Sequence, residues 1–198
     1  EVFTRIYRNN EWGSDESRSG QGSTRARGAE FRAELAALFE SLGVTTLVDA
    51  PCGDFNWMRD LEADRLRSYT GVDIVEELVA ANRARYGAEG RQFLCGDLTR
   101  DPLPRADLIL CRDGLVHLSY ADIRAAIRNF KRSGSRYLLT TTFDDIESNS
   151  DVPTGSWRAL NLRAAPFAFP PPLASLDDAP LLRPGKRLAL WELASLPD

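Results

Sequence analysis

The chain has 198 residues, of which 43% are hydrophobic and 27% charged, which fits one domain able to bury a substantial core. Its formal net charge of −4 argues against a nucleic-acid binder, which normally shows a basic footprint. No apolar run approaches the roughly 18 residues of a membrane-spanning helix, and no signal peptide is visible. These observations lead us to expect a cytoplasmic protein with neither membrane nor nucleic-acid partners. The chain begins at Glu1 rather than Met, so the native start is expected upstream.

Residues 1–28 are polar and glycine-rich and read as an arm or lid with at most a short helix, ahead of a single domain over 29–198. Phe31, Leu35, Leu38, Phe39 and Leu42 recur at helical spacing and predict an amphipathic helix over 29–42. Strand and helix then alternate. Strands are predicted over 44–50, 68–73, 91–95, 107–111 and 136–143. Helices are predicted over 57–66 and 76–86, and from the capping sequence Ser119-Tyr120-Ala121-Asp122 to Phe130. This alternation signals a parallel sheet with right-handed crossovers. The proline-rich stretch 166–172 suits neither a central strand nor a helix interior. Residues 173–176 and 187–193 read as two edge strands joined around Pro184-Gly185. The expected fold is therefore α/β and Rossmann-like. It has a mostly parallel seven-stranded sheet, a C-terminal antiparallel hairpin and helices on both faces. Cys52, Cys95 and Cys111 lie in or beside apolar runs without a C-x-x-C pair, as buried reduced thiols would.

Chemistry is concentrated at strand ends. The first strand closes in Asp49-Ala50-Pro51-Cys52-Gly53-Asp54-Phe55, an acid followed by a tight glycine turn. Asp73 ends the second strand twenty residues past Gly53, and Asp97 follows the third. Ligands of open α/β sheets bind at these C-terminal strand ends. A dinucleotide site needs G-x-G-x-x-G, and Pro51 and Phe55 are poor replacements for its glycines.

The chain resembles class I S-adenosylmethionine-dependent methyltransferases. It is most similar to a subset of small bacterial members that carry D-A-P-C-G-D-F-N-W, C-R-D-x-x-V-H-L-S, L-L-T-T-T-F and N-L-x-x-x-P-F-x-F-P, together with a Ser/Gly-rich arm. Here these are Asp49–Trp57, Cys111–Ser119, Leu138–Phe143, Asn161–Pro170 and the stretch from Trp12 to Thr24. The resemblance implies S-adenosylmethionine as cofactor, with the Asp49–Gly53 loop beneath its methionine part. It implies that Asp73 binds the ribose hydroxyls and Asp97 the adenine amino group, with Leu98 as a backbone donor beside the ring. Arg112 would line the cofactor edge. Ser19, Ser23 or Arg25 of the arm would meet the cofactor carboxylate or close over the substrate.

Methyl transfer to a hydroxyl needs an in-line acceptor and a proton acceptor. His117 is the only histidine, and its ordinary pKa suits a general base; packing is the alternative for a lone histidine. Asp113 would orient His117, contact the acceptor or ligate a metal. Asp113, Asp144 and Asp145 are candidate ligands for Mg²⁺, against solvated loop acids. The acceptor side is expected to include Asp144, Trp157, Arg158 and Asn161, with Phe167 and Phe169 as ring platforms or core. These residues suit a saccharide or polysaccharide precursor. A nucleobase enzyme would show N-P-P-Y or D-P-P-Y where this chain has Cys111-Arg112-Asp113-Gly114. The expected function is O-methylation of a small hydroxylated acceptor. N- or carboxyl methylation of another small molecule, or an inactive adenosylmethionine-binding protein, remain as alternatives. The oligomeric state, monomer or dimer, is left open.

Overall fold

A computed structural model describes residues 1–178 and 183–197. Seven strands form one sheet: β1 (Thr46–Asp49), β2 (Ser68–Asp73), β3 (Arg91–Cys95), β4 (Leu108–Cys111), β5 (Tyr137–Phe143), β6 (Ala174–Asp177) and β7 (Lys186–Glu192). Their order is β3-β2-β1-β4-β5-β7-β6. The β1–β2, β1–β4, β2–β3 and β4–β5 pairs are parallel, and β7 runs antiparallel to both β5 and β6.

The central strands read as continuous apolar runs because both sheet faces are covered. Ile109 and Leu138 enter one core with Ile123, Ala126 and Phe130 of helix α5 (Tyr120–Arg132). Leu108, Leu110 and Leu139 enter the other. There they meet Leu35 and Phe39 of α3 (Arg32–Leu42) and Leu78 and Val79 of α4 (Glu76–Tyr86). Ser119 caps α5 by accepting the Asp122 N–H, as the capping sequence predicts.

Four features differ from expectation. β7 is not an edge strand, since it lies between β5 and β6. Its Leu188 and Leu190 fill one core while Ala189 and Trp191 fill the other. No helix spans 57–66; only a single 3₁₀ turn, Met58–Asp60, forms. Trp57 packs on Phe31 at 5.1 Å and Asp60 is drawn to Arg25 and Arg32, so tertiary contacts redirect the chain. The arm holds more structure than expected: α1 (Val2–Asn9), a 3₁₀ turn at Gln21–Ser23 and α2 (Arg25–Ala29). Ile6 anchors α1 in the interior. Cys95 is exposed, while Cys52 and Cys111 are buried. Among the described residues no helix is long and apolar enough to cross a membrane.

The register of β1 against β4 is pinned from one side chain. Asp107 Oδ2 accepts the Thr45 N–H, the Thr45 hydroxyl and the Thr46 N–H at 2.9, 2.8 and 2.9 Å. Burial opposes the charge of Asp107, but the bonds from Thr45 and Thr46 outweigh it and hold its pKa below the usual carboxylate range. Asp107→Ala is expected to lower stability by about 1–3 kcal/mol, read by urea unfolding at neutral pH. The folded pKa is depressed, so this stability is present above the ordinary carboxylate range. It is lost as pH falls through the lowered folded value. A variant that unfolds like the wild type at neutral pH would remove Asp107 from this role.

Candidate active site

The strand order reverses at β1 and β4, the point where open α/β sheets bind ligands. A cleft of about 1010 Å³, with solvent at its mouth included, opens there. Asp49, Gly53, Asp73, Asp97, Leu98, Arg112, Asp113 and His117 all line it. Phe3, Tyr7, Trp12, Ser19 and Ser23 of the arm cover it. The sequence motifs and the arm therefore converge on one space.

Gly53 has φ 54°, and a β-carbon there would lie 2.2 Å from Ser19 Oγ, so only glycine lets the arm seat on this loop. The seating is polar. Ser17 Oγ and the Arg18 N–H donate to Asp54 at 3.0 and 2.8 Å, and Asp54 N–H donates to Ser19 Oγ at 2.9 Å. Asn56 Nδ2 donates to Glu16 at 2.7 Å and to the Ser23 carbonyl at 3.1 Å. Asn82 Nδ2 holds the loop from below by donating to the Gly53 carbonyl at 2.7 Å.

Two buried acids sit under this loop. Asp49 accepts the Tyr69 hydroxyl at 2.7 Å. Burial, reinforced by the neighbouring Asp73, pushes its pKa up to about 7 despite that bond. Asp73 Oδ2 accepts the Gly53 N–H at 3.1 Å and Oδ1 the Val75 N–H at 3.0 Å. Burial still raises its pKa. With N–H groups of Gly53, Ile74 and Val75 around it, the carboxylate keeps acceptor capacity for a further donor. Asp97 is partly engaged, accepting the Thr99 N–H and hydroxyl and pairing with Arg100 at 3.3 Å. The Leu98 carbonyl accepts from Asn129 at 2.9 Å. Ser23 Oγ donates to the Ser19 carbonyl at 3.4 Å.

Arg112 reaches the cleft, but its fork is spent elsewhere. Nε and Nη2 donate to the two oxygens of Asp178 at 3.0 and 2.8 Å, and Nη1 to the Gly22 carbonyl at 2.9 Å. Lys186 Nζ bridges Asp178 and Asp113 at 3.0 and 2.8 Å. Burial opposes ionisation of Asp113, yet Lys186 and Arg112 prevail and hold its pKa at about 2.

His117 ends the 3₁₀ turn Leu115–His117. Its Nδ1 lies 3.0 Å from the Ser156 carbonyl oxygen. A carbonyl only accepts, so Nδ1 carries the proton and Nε2 is left as the acceptor. Burial lowers the His117 pKa. Trp12 of the arm packs against the ring at 5.3 Å, tilted by 41°.

The expected acceptor residues do not gather at this cleft. Asp144 pairs with Arg187 at 2.9 Å. Asn161 braces its own loop through Ile146, Asn149 and Arg163. Arg158 is buried and donates to the Leu115 and Val116 carbonyls, behind His117 rather than in front of it. Trp157 is 47% exposed, with its ring near Phe143. Phe167 and Phe169 are core. The metal candidates also separate. Asp113 is bound to Lys186, Asp144 to Arg187, and Asp145 lies against Gly185. Among the described residues no three His, Cys, Asp or Glu side chains cluster to hold a metal. Asp144 and Arg158 were drawn away by partners that linear spacing does not reveal, 43 positions off in each case, and Asn161 by its own loop. Sequence reasoning in turn missed Asp178 and Lys186. The one available signal was that Lys186 is one of two lysines in the chain.

A family model described as a methyltransferase domain matches residues 47–134. A solved structure of Burkholderia thailandensis 1,6-didemethyltoxoflavin-N1-methyltransferase, with 1,6-didemethyltoxoflavin and S-adenosylhomocysteine bound, aligns at TM-score 0.61 and 19% identity. That alignment covers 96% of this chain and 84% of that one. TnmH aligns at TM-score 0.63 and 19% identity over 85% of this chain and 56% of its own. The 4+2 cyclase SpnF aligns at TM-score 0.53 and 24% identity over 74% and 59%. The chain thus spans less than two thirds of TnmH and of SpnF. It matches no curated protein sequence. Residues 47–134, from β1 through α5, thus match a family of methyltransferase domains, and the solved structures share the fold of the chain.

Proposed function

We propose that the protein transfers a methyl group from S-adenosylmethionine to a weakly acidic hydroxyl or N–H group of a small acceptor, with His117 as the base. The observation that carries this reading is the His117 tautomer. Nδ1 is committed to Ser156, which leaves Nε2 of this cleft-lining ring as the proton acceptor.

The residues present fit the cofactor. Asp49 and Asp73 are buried carboxylates whose charge burial disfavours, and a ligand bearing cationic groups would offset that cost. Asp73 has oxygen lone pairs for a ribose diol, and Asp97 with Leu98 stands one strand further along the same cleft. Ser19 and Ser23 place arm hydroxyls over the Gly53 loop. Bound adenosylmethionine would supply an electrophilic methyl group on a sulfonium. The chain's own part is to hold the acceptor in line, exclude water beneath Phe3, Tyr7 and Trp12, and take a proton at His117 Nε2. Arg158 and the Gly155 N–H brace that turn, the latter donating to the His117 carbonyl at 2.8 Å.

The saccharide expectation drew on the family resemblance and on Trp157, Arg158, Asn161, Phe167 and Phe169, which lie outside the cleft lining. The rings that do border it, Phe3, Tyr7 and Trp12 of the arm together with Trp57, favour a flat, partly apolar acceptor. The arm over residues 1–28 acts in this reading as a cover for the bound reactants.

Asp73→Ala is expected to weaken binding of S-adenosylhomocysteine by about 1.5–3 kcal/mol, the scale for hydrogen bonds to a charged group. Calorimetry reads this, and unchanged affinity would exclude Asp73 from the cofactor site. His117→Ala is expected to slow turnover by about 10²–10⁴; a loss below about tenfold would return His117 to packing. Burial lowers the His117 pKa, so the neutral, active base persists below the ordinary histidine range. The acid limb of the pH–rate profile should fall under that range. A limb above it would contradict the assignment.

A further inference from the structure

Proton removal and cofactor binding leave one charged group of the cleft without a task. Asp113 follows β4 with φ 54°, a left-handed conformation that a non-glycine residue adopts at a cost of about 1–2 kcal/mol. It is held there from two sides. Its N–H donates to Thr141 Oγ1 at 2.8 Å, and Lys186 Nζ donates to its Oδ2 at 2.8 Å. The arm passes it at Gly22, where a β-carbon would lie 3.2 Å from Oδ2, so no arm side chain covers that oxygen from this position.

The surrounding network sorts charge by depth. Lys186, Arg112 and Asp178 have side chains only 9%, 4% and 0% exposed, whereas Asp113 is 30% exposed. The two cations are therefore turned to buried Asp178 and to the inner side of Asp113. The member that the cleft presents is the carboxylate. Asp49, Asp73 and Asp97 line the same cleft. Arg112 also lines it, with its donors already engaged by Asp178 and Gly22. An acceptor entering beneath Trp12 and beside His117 meets a fixed anion and no uncommitted cation among the described lining residues.

We propose that Asp113 recognises the acceptor, selecting planar neutral or cationic molecules that present an N–H or O–H donor and rejecting carboxylates and phosphates. Lys186, from the C-terminal hairpin, is its positioning residue. The proposal rests on the methyl-transfer reading for calling this ligand an acceptor. It also disfavours carboxyl methylation, since a carboxylate acceptor would face Asp113 directly.

The test uses the sole histidine as reporter. The full chain, saturated with S-adenosylhomocysteine, is titrated with benzamidine and separately with benzoate while the imidazole proton resonances of His117 are followed. Benzamidine is expected to give a saturable shift and to bind at least about tenfold more tightly than benzoate, because charge-assisted hydrogen bonds reward the donor and repulsion penalises the anion. Asp113→Asn keeps the shape and should cut that preference to about twofold or less. Benzoate binding as well as benzamidine, or no saturable benzamidine shift, overturns the proposal. Because Asp49, Asp73 and Asp97 line the same cleft, an Asp113→Asn chain that keeps a preference of about tenfold also overturns the proposal, and Asp113→Gly, which suits the positive φ, replaces it if that variant does not fold. Calorimetric binding of S-adenosylhomocysteine is measured separately. If it is absent while the benzamidine preference holds, the methyl-transfer reading fails and Asp113 stands as the recognition residue of another reaction.

Discussion

Four charged side chains, Arg112, Asp113, Asp178 and Lys186, neutralise one another beside the cleft, and the site depends on that neutrality. They come from the end of β4 and from the two sides of the C-terminal hairpin. Removing one partner of such a buried set strands the others without compensation, which costs several times what an exposed pair contributes. The network has a geometric consequence as well. Arg112 Nη1 extends it to the Gly22 carbonyl, so strand end, hairpin and arm meet at one charged node. The arm's position over the cleft is thereby tied to the packing of β7.

A second tie holds the arm to the Gly53 loop. Asp54 receives Ser17 and Arg18 and gives its N–H to Ser19, while Gly53 leaves room for the Ser19 side chain. The bonds are local and partly exposed, the sort that open at modest cost. The loop that would carry the cofactor is thus the same loop that seats the cover. Access to the cleft and order in the first 24 residues are in this way one problem.

The fold alone does not fix the chemistry. A cyclase and an N1-methyltransferase share this sheet at 24% and 19% identity, as expected when sites are grafted onto a common scaffold. What separates possible activities here is the acceptor end. In the reading proposed above, that end combines His117 held through Nδ1, a part-exposed Asp113 at positive φ and aromatic side chains of the arm.

Much of this was legible in the sequence. Apolar runs ending in Asp49, Asp73 and Cys95-Gly96-Asp97 fixed the strands and put three acids at one sheet edge, because parallel strands must end on the same side. The capping serine at 119 and the glycine loop at 53 were local signals and stayed local. The residues that escaped notice were those whose partners are distant. Asp178 lies 66 positions from Arg112, and Lys186 lies 73 from Asp113. Nothing in either neighbourhood marks them as paired. Asn161, Arg158 and Asp144 look like site residues in one dimension, yet each was claimed by a nearby carbonyl, amide or guanidinium group. Periodicity and turn chemistry, being short-range, let the sequence determine the elements and the gathering of Asp49, Gly53, Asp73 and Asp97 at one cleft. Only the tertiary structure decided the charged network beside it, because pairing of buried charges is settled by which strands become neighbours, and β7 reaches the middle of the sheet from the far end of the chain.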